Sequence, residues 1–183
     1  MADLGALKGM FEPYESTLRE TSYDMEHGKY LCQSQEKVIN FDKYIELKYE
    51  KQKERPKSFD ALYFHRETSN VYCIEFKNQK YSDIDSDDIR EKFIDGIAQL
   101  REIFISQNIN TDNFSFNVFV VFKKPREITA IHKKIKEGEI LFGLDTKNFK
   151  ENLVKIKSLN IKTGYGAQFG RIYKKLFHNE SDC

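Results

Sequence analysis

The chain has 183 residues, and 30 Lys and Arg against 29 Asp and Glu leave a net charge of only +1, so no global field argues for a polyanionic partner and only local charge distribution can. Its 15 Phe and 10 Tyr supply ample core for one domain, and the length falls short of two comfortable ones. No apolar run approaches the roughly 18 residues of a bilayer span, and Met1 to Glu20 has no basic start followed by an apolar stretch, so no membrane partner and no secretory leader are expected, and a cytoplasmic location is.

In chain order, Met10 to Glu26 reads as a polar helix with a thin stripe of Met10, Tyr14 and Leu18. Lys37 to Glu54 fits a helix through Val38, Phe41, Ile45 and Tyr49, or a strand through Ile39, Phe41 and Tyr44 to Leu47. Pro56 ends whatever precedes it, since the residue before proline is pushed away from helical angles. Phe59 to Phe64 and Val71 to Phe76 are apolar on both faces and flank the turn formers of Arg66 to Asn70, which predicts a β-hairpin of central strands. Ile89, Phe93, Ile97, Leu100 and Phe104 recur at helical spacing, with Ser86 or Asp87 as the expected N-cap. Ser115 to Phe122 is a strand stopped by Lys123-Lys124-Pro125. Ile128 to Glu137 and the region of Phe149, Leu153 and Ile156 have helical spacing, the latter as a helix or a helix with a short strand. Lys162 to Arg171 is glycine-rich without the Gly-Lys-Ser/Thr ending of a nucleotide loop. It reads as a turn before a last helix, with a loop presenting Tyr165 and Arg171 as the alternative.

Cys32, Cys73 and Cys183 are odd in number and widely spaced, which reads as reduced thiols with Cys73 buried. His27, His65, His132 and His178 show no spaced pair that would suggest zinc.

The chemistry concentrates on the hairpin. Side chains at i and i+2 of a strand point the same way, so Glu75 and Lys77 share a face. Asp60, near the start of one antiparallel strand, is expected close to Glu75, near the end of the other. Two carboxylates at that separation repel unless a cation sits between them. Mg²⁺, or Mn²⁺ in its place, fits oxygen ligands and is usually held by one or two carboxylates plus substrate phosphates. Lys77 would orient an attacking water or neutralise charge building on a phosphoryl group.

Asp60, Glu75 and Lys77 in this order, with Pro56 four residues ahead of the aspartate, resemble the motif of the PD-(D/E)xK nuclease superfamily over roughly residues 56 to 122. The resemblance implies an α/β, restriction-endonuclease-like core: a central mixed β-sheet with an antiparallel hairpin carrying the active site, flanked by helices. It implies one domain over 1–183, with the core at roughly 30–125 and a helical, basic part at 126–178. Asp60, Glu75 and the backbone carbonyl of Phe76 would hold the metal, and phosphodiester hydrolysis would leave 5′-phosphate and 3′-hydroxyl ends. DNA is the favoured substrate, with RNA as the alternative and endonucleolytic action preferred. Gln99 resembles the glutamine of the Gln-x-x-x-Tyr element of the RecB-like branch and joins the catalytic set on that ground, although Ile103 stands where the tyrosine would be. A helix before the hairpin often contributes another glutamate in this superfamily, and Glu15, Glu20 and Glu36 are all eligible.

Beyond Val121 basic residues far outnumber acidic ones, and Lys123, Lys124, Lys133, Lys134 and Arg171 are the candidate phosphate contacts. Solvated helix faces are the bland alternative. Asp83, Asp85, Asp87, Asp88 and Glu91 form an acidic cluster expected to repel a phosphate backbone. A homodimer is plausible on the ground that cutting both strands of a duplex needs two sites. The readings from other classes are an RNA-cleaving toxin of the same fold and a non-catalytic binding or interaction module in which the triad only balances charge.

Overall fold

The computed structural model of the protein describes residues 5–65, 69–79, 83–122 and 159–165. Helix α1 (Gly5–Phe11) leads through a 3-10 turn (Glu12–Tyr14) into strand β1 (Glu15–Thr17), the four-residue helix α2 (Leu18–Thr21) and a small ribbon of β2 (Tyr23–Asp24) and β3 (Lys29–Tyr30). Strand β4 (Lys37–Asn40) runs straight into α3 (Phe41–Lys48). Then come β5 (Ala61–His65), β6 (Asn70–Lys77), the long α4 (Ser86–Ser106), β7 (Ser115–Phe122) and β8 (Leu159–Tyr165). Six strands form one mixed sheet in the order β1-β4-β5-β6-β7-β8, antiparallel from β1 to β6 and parallel from β6 to β8.

Strand β6 is apolar on both sides because both sides are covered. Val71 and Cys73 pack into a cluster with Ile89, Phe93, Ile97, Leu100 and Phe104 of α4. Tyr72 and Ile74 join Leu18, Cys32 and Val38 on the opposite face. Burial of this kind stabilises by about 25 cal/mol per Å² of apolar surface removed from water, and all five stripe residues of α4 are fully buried. Parallel pairing of β6 with β7 needs a crossover, and α4 supplies it.

The two ends of α4 are fixed by local chemistry. Asp85, in extended backbone, accepts from the N–H groups of Asp87 and Asp88, so the cap falls one residue ahead of the expected pair. At the other end Asn108 takes a left-handed φ of 56°. Its N–H donates to Ile105 and that of Ile109 to Phe104, which closes the helix with a Schellman motif. In the β5–β6 turn Ser69 likewise has φ 51°.

Several expectations are corrected. The single helix over Met10 to Glu26 is broken: Pro13 sits in the 3-10 turn, Glu15–Thr17 zips onto β4, and a capping box of Thr17 and Glu20 restarts a short helix at Leu18. The ambiguous Lys37 to Glu54 is both a strand and a helix, divided at Asn40, whose side chain caps α3. Leu7, Phe11 and Leu18 are buried, so residues ahead of position 30 also join the hydrophobic core. Lys162 to Tyr165 belongs to β8 and not to a turn; Leu159, Ile161, Thr163 and Tyr165 alternate with Asn160, Lys162 and Gly164, a strand period that the glycines obscured. The other helices expected beyond Pro125 lie outside the described residues. Cys73 is a buried free thiol as expected.

Candidate metal and phosphoryl-transfer site

The site forms where β5 begins and β6 ends. Ala61 pairs with Ile74, so Asp60, one step further along the same antiparallel register, stands opposite Glu75. Asp60 is gripped by two backbone donors: Phe41 N–H donates to its carbonyl at 3.0 Å, and Phe76 N–H donates to its Oδ2 at 2.6 Å. The segment leading to it is clamped between two helices. Ser58 Oγ and the Arg55 guanidinium donate to Asp42 Oδ1 of α3 at 2.6 and 2.7 Å, while Lys57 N–H donates to Asp95 of α4 at 3.1 Å. Phe59, fully buried, stacks between Phe41 and Phe93 at centroid distances of 4.6 and 5.9 Å.

Glu75 and Lys77 continue the α4-facing row of Val71 and Cys73, which explains why a carboxylate only 1% exposed occurs at the end of an apolar strand. Glu75 Oε1 accepts from Lys92 Nζ at 2.6 Å and lies 3.3 Å from Lys77 Nζ. Glu75 Oε2 is buried with no hydrogen-bond partner. Lys77 also donates to Asp88 Oδ2 at 3.1 Å, and Lys57 Nζ bridges Asp88 and Glu91 at 2.9 and 2.7 Å.

Burial, followed by the neighbouring Glu75 charge, pushes the Asp60 carboxyl well above its usual range, against the pull of Lys92 and the Phe76 N–H. Burial also pushes Glu75 up, opposed by Lys92 and Lys77. Burial works against the Lys92 ammonium, but Glu75 and Asp60 outweigh it and hold the charge firmly. Asp88 is drawn down despite its partial burial by its bonds to Lys57 and Lys77. Asp60 and Glu75 thus face each other as two acids that resist ionisation, with the Lys92 and Lys77 ammonium groups beside Glu75. Glu75 Oε2 shares its lack of a hydrogen-bond partner with two other buried side-chain atoms, Asn78 Nδ2 and Arg101 Nε. The donors are all oxygen, which suits a hard cation such as Mg²⁺ or Mn²⁺ and not zinc.

The other expected residues fall differently. Gln99 is turned to α3: its Oε1 accepts from the Tyr49 hydroxyl at 2.5 Å and the Lys48 ammonium at 3.0 Å. It stands seven residues past Lys92, about 10 Å further along the helix axis, so the geometry ties two helices together there and does not bring the amide to the carboxylates. Gln99→Ala is therefore expected to cost about 1 kcal/mol of stability in urea unfolding, the worth of a typical lost hydrogen bond. Glu20 is spent on the capping box and Glu15 pairs with Lys37 at the sheet edge at 3.5 Å; neither is at the hairpin. The backbone carbonyl of Glu36 accepts from Leu18. The acidic cluster is largely neutralised in place, since Asp85 caps α4, Asp87 pairs with Arg90, and Asp88 and Glu91 pair with lysines, so it repels phosphate less than its sequence suggests. Lys123, Lys124, Lys133, Lys134 and Arg171 lie outside the described residues.

Lys92 is the residue that sequence reading missed. Beside Phe93 in an amphipathic helix it looks like an ordinary solvated lysine, and only the packing of α4 on β6 aims it at Glu75. Among the described residues, the group of three metal-ligating side chains close enough to share an ion is Asp24, Glu26 and His27, in the turn between β2 and β3. Its Asp24–His27 contact of 2.8 Å and the His27 N–H bond to Asp24 account for it as a turn. No helix among the described residues is long and apolar enough to cross a membrane.

No protein-family model, curated protein or solved structure matches this chain.

Proposed function

We propose that the protein is a divalent-metal-dependent nuclease that hydrolyses phosphodiester bonds, with DNA as the favoured substrate and a restriction-endonuclease-like core. The observation that carries this reading is the half-buried Asp60 standing opposite the buried Glu75, with an unpartnered Glu75 Oε2 and the Lys77 ammonium beside it. Its support in the fold is the antiparallel β4-β5-β6 sheet followed by the α4 crossover and parallel β7, the hairpin, helix and strand that the motif resemblance implies.

Asp60, Glu75 and the Phe76 carbonyl would hold the ion. Bound there, Mg²⁺ or Mn²⁺ supplies Lewis-acid polarisation of the scissile phosphate and a more acidic water. The protein's own part is positioning and charge. The Phe76 N–H fixes the Asp60 carboxylate, and Lys77, steadied by Asp88, places an ammonium where negative charge grows on the phosphoryl group. The apolar rows on both faces of β6 keep bulk water from the carboxylates, which strengthens each of these interactions. The basic residues beyond Val121 would follow the nucleic-acid backbone, and a homodimer would cut both strands.

One observation favours a non-catalytic module: the Lys92–Glu75 pair balances the carboxylate without an ion. The orphaned Oε2 and the raised Asp60 carboxyl weigh against it, because a site built for charge balance alone has no reason to keep either.

Two assays separate the readings. Mn²⁺ is expected to raise the melting temperature, by preferential binding to the native state, and chelator to reverse it. Cleavage of supercoiled, linear and single-stranded DNA and of structured RNA is expected to require the metal and to fall roughly 10²- to 10³-fold in Lys77→Ala, with the circular dichroism spectrum unchanged. Metal-independent thermal stability together with an inert panel would support the module, and cleavage confined to RNA would move the substrate class.

A further inference from the structure

The two oxygens of Glu75 are treated differently: ammonium groups crowd Oε1, and Oε2 has no partner. The two lysines also differ. Lys77 is shared with Asp88 at 3.1 Å, so its charge keeps a second carboxylate whatever happens at Glu75. Lys92 approaches from the helix, makes the shorter contact at 2.6 Å, and lies near enough to Asp60 to be attracted by both acids. Its side chain retains 23% exposure, which gives its flexible four-carbon stem a path out of the site. Asp88 lies one helical turn back on α4, at the i−4 position, within reach of a withdrawn ammonium.

We propose that Lys92 is the resident counter-cation of the Asp60–Glu75 pair, and that a divalent ion enters only by competing with its ammonium, which withdraws toward Asp88. The inference rests on the metal-site reading above. With Lys92 in place the two carboxylates are already half neutralised, and Lys77 and Asp88 answer each other. A divalent ion added to that arrangement meets a like charge in a partly desolvated pocket, where repulsion is strong. Affinity for the ion alone is consequently weak, and it improves when a substrate phosphate brings negative charge of its own. Metal loading is thereby coupled to substrate binding, a specificity role for a lysine outside the Asp60, Glu75, Lys77 motif.

The test is calorimetric titration of the full chain with Mn²⁺ in the absence of nucleic acid, for the unmodified protein, Lys92→Met and Asp60→Asn, with melting curves in chelator and in Mn²⁺. Lys92→Met is expected to bind Mn²⁺ about tenfold more tightly or better, to melt lower than the unmodified protein in chelator, and to gain more from Mn²⁺. Lys92→Gln, which keeps a hydrogen bond to Glu75 without the charge, serves the same purpose if the methionine variant does not fold without metal. Unchanged or weaker Mn²⁺ affinity in the lysine variants, beside Asp60-dependent binding in the unmodified protein, overturns the competition and leaves the metal site standing. Absence of Asp60-dependent binding in every form overturns both.

Discussion

Asp60→Asn is expected to raise the melting temperature of the metal-free protein while abolishing the proposed metal-dependent cleavage. The Asp60 carboxylate is disfavoured by burial and by Glu75 opposite it, so its charge weakens the fold in chelator. An amide keeps an acceptor for the Phe76 N–H at the position where Oδ2 now receives 2.6 Å and removes the repulsion. The gain should be about 1–2 kcal/mol, or roughly 2–8 °C for a domain of this size, read by differential scanning calorimetry in chelator. Cleavage should fall by at least about 10²-fold, since a residue that organises charge in the transition state is lost. A variant that instead melts lower and still cuts would make Asp60 a structural acceptor and nothing more.

Gly96→Ala is expected to damage both fold and site, one turn along α4 from Lys92. A Cβ at position 96 would lie 2.8 Å from two ring atoms of Phe59, closer than such contacts occur. The ring has no free direction, because Phe41 and Phe93 stack on it at 4.6 and 5.9 Å. Relief therefore comes from moving α4 away from β5 or shifting the Phe59 backbone, and Asp60 is the next residue. Overpacking of this kind costs about 1–3 kcal/mol; alanine's higher helix propensity offsets up to about 1 kcal/mol of it. The net loss should appear as a lower urea midpoint, together with weaker Mn²⁺ binding as Asp60 is displaced. Tighter or unchanged metal binding in Gly96→Ala would separate the helix–Phe59 contact from the geometry of the site.

Much of this architecture was legible where one physical signal dominated. The β5–β6 hairpin, the α4 stripe and strand β7 are set by dense apolar periodicity between clear turn formers, and each occurs where that pattern places it. The N-terminal region was misread because its elements are short and held by specific hydrogen bonds, the Thr17–Glu20 box above all, and not by a long apolar face. Strand β8 was hidden by glycines that read locally as a turn, and only pairing with β7 makes it a strand. The meeting of Asp60, Glu75 and Lys77 was legible because strand alternation and hairpin register determine which side chains come together. Lys92 and Gln99 lie on α4, and their partners depend on how far the helix slides along the sheet. Sequence periodicity gives the buried face of a helix but not its axial position, so one residue was missed and the other assigned to the wrong neighbours.

The proposed function requires Asp60 and Glu75 to share a divalent cation. Crystals grown with Mn²⁺ and measured near the manganese absorption edge test it most directly. An anomalous peak is expected between the two carboxylates, within coordination distance of Glu75 Oε2, and is expected to disappear in Asp60→Asn. An empty map at that position, or a peak confined to the exposed turn of Asp24, Glu26 and His27, would contradict it.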